Sequence, residues 1–418
     1  MAGLGIGVAA MHIKGAALES AFALGLARPM QTLAQSPTDP AFVQEPYAFY
    51  DRARACGPFF HWQDYGLICA TTAATVGAIL RDRRFGREVP DARRQPIPDH
   101  LRPFYAVEAH SMLELEPPRH TRLRNLVLRA FTSRRIAALQ PEIAALSHSL
   151  IDTFPPGAFD LLPHFAQKLP VIIIARLLGV PEDLLRWSNA MVGMYQARRS
   201  RATEEAAVAA TEAFVAFLSA HVAERRARPA DDLITHLIAA EADGERLSSD
   251  ELIATCILLL NAGHEATVHT LGNGVKALIE NGFGAEVLTP DTVGATVEEI
   301  LRHDPPLHLF TRWAYEDIEI SGHRFRRGDQ VGCLLAAANR DPQIWDDPGR
   351  FIPDRLVKPN LSFGVGLHFC VGAPLARLEL QTALPILFDR LPGLALAEPP
   401  RYANLSHFHG LDRLMVRA

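Results

Sequence analysis

Residues 363–377 read Phe363-Gly364-Val365-Gly366-Leu367-His368-Phe369-Cys370-Val371-Gly372-Ala373-Pro374-Leu375-Ala376-Arg377, and the rest of the chain is read from them. One cysteine lies in a glycine-punctuated turn that runs into a helical pattern ending near Leu391. Gly364, Gly366 and Gly372 allow positive φ and let the backbone approach a bulky flat ligand closely. A thiolate at the start of a helix gains from the positive end of the helix dipole and from unpaired backbone N–H groups. A bare Gly-x-Gly-x-x-x-Cys is more often a core cysteine beside a turn. The full run from Phe363 to Gly372 shifts the weight toward a ligand.

N–H groups aimed at a sulfur tune a metal–thiolate bond, and a haem iron held by one cysteine needs this arrangement. The remaining cysteines, at 56, 69, 256 and 333, form no Cys-x-x-Cys pair, so neither a disulfide framework nor a structural zinc site follows. A net charge of −5 argues against nucleic-acid binding as the main task. The apolar run in the first thirty residues is interrupted by His12, Lys14, Glu19 and Arg28, which speaks against a spanning helix. No linker divides the 418 residues. Residues 1–38 read as a loosely ordered lead-in.

Moving back along the chain, helical patterns cover 45–56, 71–82, 118–130, 134–154, 165–179, 181–198, 202–227 and 230–241. Pro58 to Ala70 is strand-like, and residues 87–111 read as a long loop. Ser248 and Glu251 form a capping box for a helix reaching about Glu280. Strand signals return at 309–313, 318–320 and 330–335, followed by an irregular, proline-rich stretch over 339–369. The expected class is mainly α with a minor β part.

The capped helix carries Asn261-Ala262-Gly263-His264-Glu265-Ala266-Thr267 directly after Ile257-Leu258-Leu259-Leu260. A glycine inside a helix costs about 1 kcal/mol against alanine. Gly263 therefore marks either a groove or a close helix–helix contact, and the residue alone favours neither. A carboxylate in so apolar a setting is expected to have its pKa raised by desolvation. That places Glu265 as a proton-relay candidate, with a structural salt bridge as its competitor.

From the cysteine loop outward, the chain from about Asp39 to its end resembles the cytochrome P-450 superfamily, soluble bacterial type. The resemblance implies a single domain over 39–418 with a long central helix over a haem b. Cys370 would be the metal ligand, set among Phe363, Gly364 and Gly372. His120 and Arg124, four apart in Glu116-Pro117-Pro118-Arg119-His120-Thr121-Arg122-Leu123-Arg124, with Arg312 and His368, would hold the haem propionates. Glu299 and Arg302 match the family's Glu-x-x-Arg element and would form a buried network with Arg355.

By the same resemblance, Gly263 belongs to an oxygen groove and Glu265 to the proton relay. Ala266 departs from the family's pattern, because a threonine hydroxyl is usual there. Thr267 is one residue late, about 100° around the axis. A helix distortion bringing Thr267 inward, a substrate group supplying the hydroxyl, and poor coupling all stay open. The substrate pocket would draw on Leu260, Ala262, Leu307, His308, Leu309, Phe310, Phe408 and His409, with the 87–111 loop.

The implied activity is insertion of one oxygen atom from O2 into a small-to-medium, largely apolar substrate. The chain has no segment for flavin or ferredoxin, so electrons originating from NAD(P)H would come from a ferredoxin-type partner. Arg119, Arg122 and Arg129 mark a basic docking surface for it. A cytoplasmic monomer, with neither nucleic acid nor membrane as partner, completes the expectation. A peroxide-driven oxygenase, or a coupling or rearrangement enzyme, is the alternative on the same fold. A non-enzymatic haem sensor or carrier is the remote one.

Overall fold

The computed structural model describes residues 30–417 apart from 196–198, 241–243 and 406–407. The central helix runs Ser249–Glu280, and both halves of the capping box form between Ser248 and Glu251. Every residue from Leu252 to Asn261 is buried. The helices packed on it include Lys168–Leu178, Leu185–Val192, Arg201–Ala227 and Val293–His303. Burial of this apolar length against its neighbours is a large hydrophobic term of the fold.

The β part is a six-stranded sheet in the order Thr32–Leu33, Phe59–Trp62, Leu67–Ala70, Gln330–Leu334, Leu309–Ala314 and Phe85–Gly86. The run Pro58 to Ala70 resolves into an antiparallel hairpin with Phe59 opposite Ala70. Leu67–Ala70 pairs in parallel with the strand Gln330–Leu334, so distant parts of the chain share one sheet. That strand in turn pairs antiparallel with Leu309–Ala314, placing Arg312 opposite Val331. Of the lead-in, residues 1–29 lie outside the described residues, while Thr32–Leu33 pairs in parallel with His61–Trp62.

Several expected boundaries move. The 134–154 helix divides into Ser133–Ala138 and Gln140–Ile151. Pro141 is the reason, because it has no N–H to continue the ladder and fits only a first turn. The 87–111 loop contains a helix of its own, Arg102–Glu108, which buries Phe104. After the central helix, residues 280–291 supply only a 3-10 turn, Ala285–Val287.

One described helix, Arg201–Ala227, is long and apolar enough to cross a bilayer. It instead buries the stripe Ala207, Ala210, Thr211, Phe214, Leu218 and Val222, and it packs on the central helix.

Candidate active site

The cysteine loop is held by its own backbone. Cys370 N donates to the Phe363 carbonyl at 3.1 Å. Gly366 has φ +76°, and a Cβ there would sit 2.4 Å from the Leu80 carbonyl oxygen. Both the conformation and the contact therefore require glycine. Cys370 Sγ accepts the N–H groups of Gly372 and Ala373, where the helix Ala373–Arg390 begins. Burial pushes the thiol pKa up; those N–H groups, Arg124 and Arg377 oppose the rise without cancelling it. A metal cation is what would hold such a sulfur deprotonated.

Behind the loop lies the expected three-residue network. Glu299 accepts two hydrogen bonds from Arg302, at 2.6 and 2.7 Å, and Arg355 Nε lies 3.2 Å from Glu299 Oε2. Arg302 spends its remaining donors on the carbonyls of Asn339, Pro348 and Arg350. The brace then passes to the loop through residues that sequence reasoning missed. Ser362 Oγ donates to the Leu301 carbonyl at 2.6 Å and accepts from Asn339 Nδ2 at 2.8 Å. Glu298 takes the Arg377 guanidinium, which lies over the Phe363 ring. The charges are buried but paired, which is the condition for carrying them inside a protein.

Basic groups gather around Glu116, and Arg124 links them to Cys370. His120 is buried and its Nδ1 has no hydrogen-bond partner among the described residues. Burial, with His368 and Arg124 nearby, pushes its pKa down to about 4. Arg312 is buried, donates to the Thr311 carbonyl, and forms no ion pair among the described residues. Burial and the neighbouring Arg87 pull its pKa to about 10. Arg124 is drawn down by burial and up by Cys370. His368 differs: its Nε2 lies 2.9 Å from Glu116 Oε1, which also accepts the Arg87 N–H. Buried donors left open beside a cysteine fit a ligand that carries carboxylates, and a haem with its propionates meets that requirement.

The central helix opens in one place. Ala262 is exposed, and Gly263, Glu265, Ala266 and His269 are partly so, while Asn261, His264, Thr267, Val268 and Thr270 are buried. Exposure at 262, 265, 266 and 269 is one helical face. The helix is unbroken through this stretch, so no distortion turns Thr267 inward and its side chain stays buried. Thr270 Oγ1 is committed to the Ala266 carbonyl at 2.7 Å. Gly263 is explained by packing, since a Cβ there would stand 3.1 Å from Ile174 Cγ1 on the helix Lys168–Leu178.

Glu265 corrects an expectation. Burial would raise its pKa, as predicted, but hydrogen bonding from His264 and the charges of His264 and His269 outweigh burial, and the net shift is downward. His264 Nε2 lies 3.5 Å from Oε1, and His269 Nε2 lies 3.6 Å from Oε2. His264 itself faces a neighbouring helix, where Nε2 meets Asn189 Oδ1 at 3.3 Å.

The expected pocket residues separate into two groups. Phe408 packs on His269 with ring centroids 5.3 Å apart, and Phe310 would stand 3.4 Å from a Cβ at Gly364. Leu260 is buried in the main core, Ala262 is on the open face, and Leu307 is partly buried. Leu309 packs instead with the cluster around Trp62 and Cys69. His308 bonds to the Tyr50 hydroxyl, and His409 lies between the rings of Tyr402 and His308.

Comparison with known proteins decides the family. The chain is 36% identical over 399 residues to the biotin biosynthesis cytochrome P-450 of Bacillus subtilis (strain 168), across 92% of this chain and 99% of that one. This chain belongs to the cytochrome P-450 family. The family's own sequence model, Cytochrome P-450, matches residues 292–391, which span the Glu299 network and the cysteine loop. The vitamin D(3) 25-hydroxylase of Pseudonocardia autotrophica is 36% identical, over 90% of this chain and 94% of its own. The solved structure of P450BioI in complex with hexadec-9Z-enoic acid ligated acyl carrier protein superposes with TM-score 0.84 at 35% identity, over 90% of this chain and 99% of that one.

As a P-450 the chain is a haem-dependent monooxygenase, and the mainly α architecture around one long central helix is that of the family. On this P-450 the basic surface is thinner than its sequence implies. Arg122 is paired with Glu245 and Glu251, and Arg119 donates to the Ala109 carbonyl. Arg129 is exposed.

Proposed function

We propose that this P-450 inserts one atom of dioxygen into a small-to-medium, largely apolar organic substrate, with hydroxylation as the outcome. The observation that carries the reading is a sulfur held by two N–H groups at a helix start, together with an acid on the open face of the central helix. Cys370 would hold the iron of haem b, and His120, Arg124 and Arg312 would hold its propionates, with His368 positioned by Glu116. When bound, the haem supplies the centre at which dioxygen is reduced, one oxygen atom going to the substrate and the other to water.

The chain's own part is to position and to move protons. Glu265, ionised at neutral pH and held beside His269 Nε2, is the acid that would relay protons to the open face. Ala266 offers no hydroxyl, and that of Thr267 is buried, so a hydroxyl or carbonyl on the substrate orders the water that receives the proton. Leu260, Ala262, Leu307, Phe310 and Phe408 supply the apolar wall. The solved relative in complex with hexadec-9Z-enoic acid ligated acyl carrier protein supports the apolar character of this substrate class.

Electrons from NAD(P)H would arrive through a separate ferredoxin at the face of Arg119, Arg122 and Arg129, in the cytoplasm, with the P-450 acting as a monomer. The test is a ligand screen for a spin-state change, followed by measurement of product formed per NAD(P)H consumed with a ferredoxin system. Hydroxyl- or carbonyl-bearing hits should turn over with tight coupling, and matched hydrocarbons should not. The missing hydroxyl at Ala266 favours one second reading, a peroxide-driven oxygenase or a coupling or rearrangement enzyme. Full turnover with peroxide alone would select it.

A further inference from the structure

Asp304, His308 and His409 meet where the helix Tyr47–Ala55, the chain leaving Val293–His303 and the hairpin of Arg401–Tyr402 with Leu411–Arg413 come together. One ligand-type atom from each residue lies within 4.8 Å of the other two. Asp304 Oδ1 is 3.4 Å from His409 Nε2, and the two imidazole rings face each other with centroids 4.3 Å apart. Nε2 of His308 and Nε2 of His409 are both buried, and neither has a hydrogen-bond partner among the described residues. Two buried ring nitrogens with no full hydrogen bond, one of them 3.4 Å from a carboxylate oxygen, are unusual, because such atoms are nearly always satisfied.

The surroundings hold these groups in a ligating form. His308 Nδ1 lies 3.0 Å from the Tyr50 hydroxyl; a proton donated there leaves the Nε2 lone pair free. Asp304 accepts the Tyr47 hydroxyl on Oδ1 at 2.7 Å and the Tyr402 hydroxyl on Oδ2. The backbone is braced as well. Asn273 of the central helix donates to the carbonyls of both Asp304, at 3.2 Å, and His409, at 3.0 Å. His409 N donates to the Pro306 carbonyl at 2.8 Å. The spacing is therefore set by the framework and does not depend on a bound ion.

We propose that Asp304, His308 and His409 bind one divalent cation of the zinc type through the Asp304 carboxylate and the two Nε2 atoms. Imidazole and carboxylate together suit a borderline cation, and a divalent ion compensates the buried carboxylate. The ion takes the place of the direct contact between His409 Nε2 and Asp304 Oδ1. It clips the segment 304–308 to His409, the neighbour of Phe408, and so fixes one end of the substrate wall proposed above. The binding measurement itself does not depend on that function, so the two readings fail separately.

The test uses the full chain in its haem-loaded form, stripped with a chelator, equilibrated with zinc and freed of excess by gel filtration. Elemental analysis should find about one zinc per chain in the unmodified protein. The double variant His308→Gln/His409→Gln should retain roughly tenfold less or lower, and Tyr50→Phe should weaken retention by about tenfold at unchanged haem content. Zinc-edge anomalous scattering from crystals of the unmodified protein should place the ion among these three side chains, whether or not the double variant folds. No zinc retained, equal retention in the double variant, or an anomalous peak elsewhere would overturn the site.

Discussion

Glu265 Oε2 lies 3.6 Å from Nε2 of His269, one turn further along the central helix. That contact, with His264 on the other carboxylate oxygen, reverses the shift that burial alone would produce. Because the folded value is lowered, the ionised acid stabilises the fold above the ordinary carboxylate range, and this contribution is lost as pH falls through the lowered value. His269→Phe removes one compensating charge and leaves the desolvation. The acid limb of coupled turnover should therefore move to higher pH than in the unmodified enzyme. Glu265→Gln should cost about 100-fold or more in coupled rate. An acid limb that stays in place in His269→Phe would show that the pair does not govern the proton supply.

Ala266 sits on the open face, while Thr267 one residue later is buried. Ala266→Thr should raise product formed per NAD(P)H for substrates lacking a polar end, and change it little for hydroxyl-bearing ones. Thr267→Ala should leave coupling unchanged for both. The ratio of product to reducing equivalents measures each case.

Arg302 and Arg355 are both compensated by Glu299. Glu299→Gln leaves two guanidinium groups short of charge behind the cysteine loop. Losing one partner of a buried pair costs about 3–5 kcal/mol. The variant should show a lower thermal midpoint and a lower haem-to-protein absorbance ratio.

At Gly366 a methyl group would meet the Leu80 carbonyl from a left-handed backbone, whereas at Gly349 nothing lies within 4 Å of a Cβ. Gly366→Ala should lose about 2 kcal/mol or more, since left-handed backbone alone costs 1–2 for other residues. Gly349→Ala should stay within about 0.5 kcal/mol. Chemical denaturation of the two variants side by side checks the contrast.

Features fixed by local spacing were legible in the sequence. The cysteine loop, the Ser248 capping box and the Glu299–Arg302 pair each lie within a few residues, and each takes the expected form. The break at Pro141 was legible in principle, because a proline mid-pattern ends a helix. Gly263 was not, since its reason is Ile174 on another helix. The role of Glu116 has no local signal, because its partner, His368, is 252 residues away. The direction of the Glu265 shift sits between these cases. His269 stands four residues on and thus on the same face, a signal that the apolar context outweighed.

The carbon monoxide difference spectrum of the reduced protein tests the central claim most directly. With Cys370 as the haem ligand, the unmodified protein should give the strongly red-shifted band of a thiolate-bound haem, and Cys370→Ser should lose it. Absence of that band in freshly prepared, haem-loaded protein, or its survival in Cys370→Ser, would contradict the assignment of Cys370.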